Sequence, residues 1–227
     1  MHASEAKPLT LRVSDTETVS ALLLEPKQAR TCYVFGHGAG AGMNHSFMAA
    51  FAAGLAAREV ATLRYQFPYM EKGSKRPDPP ALAHATVRAA VVEAARQCPG
   101  MPLFAGGKSF GGRMSSQAQA REPMPGVRGL VFVGFPLHPA GKPGLDRAEH
   151  LSKVAVPMLF LQGTRDELAD LVLIRSATDA LGPRATLELF DDADHSFHVR
   201  AKSGSNDAQV REALLAAFVA WIAMHLP

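Results

Sequence analysis

Gly106-Gly107-Lys108-Ser109-Phe110-Gly111-Gly112 follows the short apolar run Met101 to Ala105 and precedes Arg113-Met114-Ser115-Ser116-Gln117-Ala118, which reads as the start of a helix. The spacing predicts a strand, a tight turn and a helix, with Gly107-Lys108-Ser109-Phe110-Gly111 matching the G-x-S-x-G nucleophile elbow. A serine at the tip of so sharp a turn sits in strained φ/ψ, and side chains two residues to either side would collide. The helix that follows aims its amide dipoles at the serine oxygen, where they stabilise developing negative charge. A Gly-rich strand-to-helix turn also binds phosphate, but this one lacks both the Walker spacing and G-x-G-x-x-G.

Outward from that turn the chain alternates. Leu9 to Val13 and Val19 to Leu24 read as a hairpin joined by the polar turn Ser14 to Thr18. Strands are predicted at Cys32–Phe35, Val60–Tyr65, Gly129–Val133, Pro157–Leu161 and Thr186–Phe190, and helices at Phe47–Arg58, Pro80–Gln97, Ala169–Leu181 and Ala208–Leu226. Continuously apolar strands imply a sheet buried on both faces by helices. Repeated strand-then-helix order implies an α/β fold with a doubly wound, mostly parallel sheet. In such sheets the working residues lie on loops at the carboxyl ends of the strands.

The 227 residues, 47% of them hydrophobic, suffice for one sizeable core, so a single domain over 1–227 is expected. With 24 basic against 21 acidic residues the net charge is only +3, and the charges are scattered. That pattern gives no support for nucleic-acid binding. The densest basic cluster, Lys72 to Arg76, falls in a Pro-rich stretch and reads as a solvated loop. Cys32 and Cys98 have no metal-type or C-x-x-C spacing and read as reduced structural thiols. Met1 to Pro8 has no apolar h-region, and Ala213 to Met224 is too short to span a bilayer. A cytoplasmic location without membrane association is the resulting expectation.

Three further segments carry chemistry. Gly36-His37-Gly38-Ala39-Gly40-Ala41-Gly42 follows the Cys32–Phe35 strand, and so glycine-rich a loop lets backbone N–H groups approach a ligand closely. His37, at the very strand end, is read as ordering that loop by hydrogen bonds. Asp166 follows the Pro157–Leu161 strand, where an acid can fix the tautomer of a catalytic histidine; an Asp before a helix also serves as an N-cap. His195 follows the Thr186–Phe190 strand and is the candidate general base. His195 and His198 are three apart with no third ligand cluster, which argues against a metal centre. Ser109, Asp166 and His195 thus occur in the order Ser…Asp…His, the order used on α/β-hydrolase sheets and not by other serine triads.

With those residues in place, the chain resembles an α/β-hydrolase of the small, lid-poor, dienelactone-hydrolase-like branch. Gly106 to Ser116, Phe67-Pro-Tyr-Met70 with Arg76-Pro-Asp-Pro-Pro80, and Gly134 to Pro143 are similar to one subfamily. That subfamily is the hydrolase-like domain in a subunit of the non-specific lethal histone-acetyltransferase complex, with its small bacterial relatives. The resemblance runs from about Thr31 to the C-terminus. It implies the α/β-hydrolase fold with little or no cap, since Val133 to Pro157 leaves room only for a loop and a short helix. It also implies Ser109, Asp166 and His195 as the triad, and leaves the substrate open.

The functional expectation is a serine hydrolase acting on a small-molecule acyl ester or thioester, with no cofactor and no metal. Ala39 and Phe110 are the expected backbone oxyanion donors. Phe67, Tyr69, Met70, Phe135 and His138 are the expected pocket walls, and Lys108 reads as solvent-facing, with contact to an anionic substrate as the alternative. Some relatives in the resembled subfamily serve as scaffolds, so the alternative is a non-catalytic binding protein with this fold. The oligomeric state is left open.

Overall fold

The alternation read from the sequence folds as one mixed sheet, residues 5–226 being those that the computed structural model of the protein describes. Met1 to Ser4, part of the segment read as lacking an h-region, lie outside the described residues. The strands are β1 (Lys7–Arg12), β2 (Thr18–Leu24), β3 (Thr31–Gly36), β4 (Val60–Tyr65), β5 (Leu103–Lys108), β6 (Val127–Val133), β7 (Met158–Gly163) and β8 (Ala185–Phe190). They lie in the order β1-β2-β4-β3-β5-β6-β7-β8. The first two form the expected antiparallel hairpin, and β4 through β8 run parallel. The helices are α1 (Ser46–Ala56), α2 (Pro68–Glu71), α3 (Pro80–Gln97), α4 (Phe110–Arg121), α5 (Leu171–Leu181) and α6 (Asp207–Ala223).

Successive strand residues point to opposite faces, so an all-apolar strand feeds two cores. On β3, Tyr33 and Phe35 face α1 and α6, packing with Phe51, Leu55, Leu214 and Phe218. Cys32 and Val34 face the other way, into the core closed by α3, α4 and α5. All six β3 residues are buried as a result, whereas β8, at the sheet edge, is only half-buried. Cys32 and Cys98 are both buried free thiols. No helix among the described residues is long and apolar enough to cross a membrane.

Two features differ from the sequence reading. The strand β5 continues through Lys108, so Gly106 and Gly107 belong to the sheet and not to the turn. Both pair with β3 and β6, which draws the elbow into the sheet's own hydrogen-bond ladder. Secondly, α2 is a single helical turn that the apolar periodicity did not mark; Pro68, pre-set for helical φ, starts it. Between β6 and β7 the chain forms only a loop and a 3-10 turn, Glu149–Lys153, and no cap is inserted.

The elbow depends on close backbone contact between β3 and α4. A Cβ at Gly111 would lie 2.3 Å from the Gly36 carbonyl oxygen and 2.4 Å from its carbon. Backbone atoms locked in a sheet do not yield, so Gly111→Ala is expected to cost at least about 3 kcal/mol in urea unfolding. Gly141→Ala is the control: its φ is +69° but nothing lies within 4 Å, and only the left-handed penalty of about 1 kcal/mol applies. Equal midpoints for the two variants would refute the packing argument.

Burial also sets an acid limit. His37 and His150 are both pushed down to about 4, chiefly by burial, from an ordinary value of 6.5. The unfolded chain takes up these protons first, so their contribution is full above pH 6.5 and is lost as pH falls through 4. His37 alone accounts for about 2 kcal/mol of lost stability between pH 6.5 and 4.5. Thermal unfolding midpoints are expected to fall over that range, and less steeply in His37→Gln; a flat profile would contradict the assignment.

Candidate active site

Ser109 stands at the junction of β5 and α4 with φ 49° and ψ −112°, a conformation seldom occupied by a residue with a Cβ. The strain is held by flanking bonds: the Ser109 amide donates to the Val133 carbonyl at 3.2 Å, and the Arg113 amide donates to the Ser109 carbonyl at 3.1 Å. A strained serine locked at a strand end presents its hydroxyl outward with little freedom.

His195 comes from the loop after β8 and reaches that hydroxyl. Its Nε2 lies 2.8 Å from Ser109 Oγ, and its Nδ1 lies 2.7 Å from Asp166 Oδ2. With the Nδ1 proton donated to the carboxylate, Nε2 is left to accept from the serine hydroxyl. Asp166, its side chain fully buried, is held by three donors: His195, the Gln162 amide group at Oδ2, and the Leu168 backbone N–H at Oδ1, 2.8 Å away. The residue that caps α5 is Asp170, accepting from Val172 and Leu173, so Asp166 is free of that duty. The structure therefore brings Ser109, His195 and Asp166 into one hydrogen-bonded chain.

The loop after β3 is stapled over the serine. His37 is buried, with Nδ1 2.8 Å from the Gly38 carbonyl, and its Nε2 accepts from the Phe67 amide at 3.1 Å. It is thus a neutral, loop-ordering imidazole. The Gly40 amide donates to Tyr69 Oη at 3.0 Å, and the Met43 amide donates to Gln66 Oε1 at 2.8 Å. Among the described residues, the amides of Ala39 and Phe110 have no acceptor, while Gly40 is committed to Tyr69.

The expected pocket walls are placed elsewhere. Phe67 and Phe135 are fully buried, the first packed edge-on against His37 and the second against Phe132 and Phe160. Tyr69 and His138 are also buried; the ring of His138 accepts from the Asp170 amide at Nε2 and sits 2.9 Å from the Pro139 carbonyl at Nδ1. Met70 is half-buried beneath the loop at Gly42. None of the five borders the hollows beside Ser109, because a strand-end aromatic in a parallel sheet is drawn into the core between helix and sheet. Two clefts open at Ser109 instead, sharing Ala39 and Leu168. One, of about 330 Å³, is lined by Phe47, Met48, Lys108 and His195. The other, of about 420 Å³, is lined by Phe110, Arg113, Pro136 and Arg147.

Lys108 also departs from its expected solvent-facing role. Its Nζ turns inward, donates to the His195 carbonyl at 2.5 Å and sits 5.4 Å from the Phe197 ring centre. Burial pushes its ammonium down to about 8, against the pull of Asp166 and Asp194. Lys108 thereby ties the elbow to the histidine loop. Gln162 was equally invisible in the sequence: it donates to Asp166 and accepts from the Phe135 amide. A glutamine inside the apolar run Met158 to Gly163 is the signal that could have found it, since a fully buried amide needs partners. His198 points away, to Asp207 at 2.9 Å, and no group of three or more His, Cys, Asp or Glu gathers in a metal-binding cluster among the described residues.

Comparison with known proteins agrees with this architecture. The chain is similar to the dienelactone hydrolase from Anabaena variabilis, with 19% identity, a TM-score of 0.79 and full coverage of both chains. It is similar to an α/β serine hydrolase without lid from Xanthomonas campestris, with 21% identity, a TM-score of 0.74, and 96% and 95% of the two chains covered. An esterase domain from Rhodothermus marinus gives 17% identity and a TM-score of 0.74, over 98% of this chain and 100% of that one. At these identities the likeness is one of fold. The family model described as alpha/beta hydrolase domain matches residues 29–223, and the chain belongs to that family.

Proposed function

We propose that the protein is a serine hydrolase that cleaves a small acyl ester or thioester through Ser109, His195 and Asp166. The observation that carries this reading is the continuous hydrogen-bonded chain from Asp166 through His195 to a strained Ser109 that borders two open clefts. In the reaction, Ser109 Oγ attacks the acyl carbon while His195 Nε2 takes its proton. Asp166 holds the imidazole by Nδ1 and stabilises the imidazolium that forms. The carbonyl oxygen becomes an oxyanion and receives the Ala39 and Phe110 N–H groups, neither of which has an acceptor among the described residues. Each such donor is worth roughly 3 kcal/mol in the transition state.

Collapse of the tetrahedral species breaks the bond to the alcohol or thiol, which leaves with the proton from His195. Water then adds to the acyl-enzyme with His195 as base, and release of the carboxylic acid restores the Ser109 hydroxyl. The lysine tie and the Gln162 bridge keep the imidazole aligned through both halves. Nothing in this cycle calls on a metal or cofactor. A scaffold with an idle site would be favoured by Tyr69 or Phe135 blocking the serine, and both are packed elsewhere.

A fluorophosphonate probe is expected to label the intact protein at Ser109 and to fail with Ser109→Ala and His195→Ala. With p-nitrophenyl acetate, Asp166→Asn is expected to lower kcat by about 10³-fold or more, by leaving the histidine in the wrong tautomer. A folded wild-type protein that resists the probe would leave the scaffold reading in its place.

A further inference from the structure

The larger cleft beside Ser109 is lined by two arginines, Arg113 and Arg147, that form no ion pair among the described residues. Arg12, Arg58, Arg88, Arg96, Arg165 and Arg200 each reach a carboxylate within 4 Å. Arg113 and Arg147 reach none among the described residues, and no hydrogen bond from either guanidinium to a protein acceptor is formed there. Arg113 Nε is buried without a partner. The nearest compensation is the Phe110 ring, 5.9 Å from the Arg113 guanidinium carbon.

The surroundings add one carboxylate, that of Asp78. Burial lowers the pKa of Arg113, and the neighbouring Arg147 lowers it further, so two like charges face one space. His150, which contacts Ser116 one turn along α4 from Arg113, is held neutral by burial and by Arg113 itself. Asp78 borders the same cleft, but its carboxylate accepts from the Tyr69 amide at 3.0 Å and pairs with neither arginine. Leaving the buried Arg113 Nε unmatched is costly, and a guanidinium carries five N–H groups in a fork shaped for a carboxylate or phosphate.

Position ties the pair to the reaction. Arg113 lies four residues after Ser109 on α4, one helical turn along the same face, about 6 Å further down the axis. Arg147 closes the opposite side from the loop between β6 and β7. The second cleft has no arginine in its lining; its apolar walls are Phe47 and Met48, with Lys108 and His195 beside them.

We propose that the arginine-lined cleft binds an oxyanion group of the substrate, a carboxylate or phosphate, between Arg113 and Arg147 while its acyl carbon rests at Ser109. The inference rests on Ser109 being the nucleophile and names the substrate class: a short, anionic ester or thioester with an apolar group in the other cleft. Such binding orients the carbonyl by a fixed charge one helical turn away, and it discriminates against neutral esters, which leave both arginines unpaired.

The test measures binding without turnover, using Ser109→Ala. Monomethyl succinate and dimethyl succinate differ by one charge, and phenyl phosphate supplies the phosphate arm. Calorimetry is expected to show one of the charged probes binding at least 10-fold more tightly than the diester. That advantage should shrink with added salt and disappear in Arg113→Gln and Arg147→Gln, while Arg113→Lys retains part of it. The preferred arm tells carboxylate from phosphate. Equal affinity for charged and neutral probes, a preference untouched by either substitution, or no binding of any charged probe at tens of millimolar would overturn the proposal. The comparison of probes on one protein holds even where an arginine variant fails to fold. Fluorophosphonate labelling of the intact protein reads the nucleophile separately, so the hydrolase reading and the anion site stand or fall apart.

Discussion

The site depends on how closely the end of β3 approaches the β5–α4 turn. Gly36, Gly107 and Gly111 bring three backbone segments into contact: a Cβ at Gly107 or Gly111 would meet the Gly36 carbonyl oxygen at 2.4 or 2.3 Å, and one at Gly36 would meet the Tyr65 hydroxyl at 2.8 Å. That contact lets α4 start immediately after Ser109 and forces the serine to φ 49°. It also sets the β3 loop beside the start of α4, so that Ala39 and Phe110 border one cleft with Ser109. Backbone packing, more than any side chain, places the proposed nucleophile and its donors.

Around that contact runs a frame of buried polar groups that bond to one another. Gln162 links Asp166 to Phe135, Thr164 accepts from the Asp192 amide, and Lys108 holds the His195 carbonyl. Two loops, after β7 and β8, are thereby fixed to each other and to the elbow. Buried hydrogen bonds of this kind are worth little each in net stability, but leaving one unmade is expensive, so the arrangement has few alternatives. The unmatched guanidinium groups of Arg113 and Arg147 stand out against it.

The absence of a cap shapes access. With only a loop and a 3-10 turn between β6 and β7, both clefts at Ser109 open to solvent, one beside Phe47, Met48 and Lys108 and the other beside Arg113, Arg147 and Asp78. A substrate would be sorted by the walls at the sheet's edge and not by a closing lid. The loop that in larger relatives could carry a cap here contributes Arg147.

Much was legible in the sequence for a definite reason. Apolar runs of strand length alternating with helical segments can bury both faces of a sheet in few ways, and the G-x-S-x-G spacing marks a turn that only glycine permits. The fold class, and the loops carrying Ser109, Asp166 and His195, follow from local pattern and chain order. What the order could not supply was direction. Phe67, Tyr69 and Phe135 were read as pocket walls, yet tertiary packing draws them inward; Lys108 was read as solvent-facing, yet it turns in to a carbonyl 87 residues away in the chain. Gln162, Leu168, Arg113 and Arg147 acquire their places only when separate loops converge. Pattern and propensity act over a few residues, whereas the lining of a cleft is set by contacts between segments far apart in the chain, and that is decided by the folded structure alone.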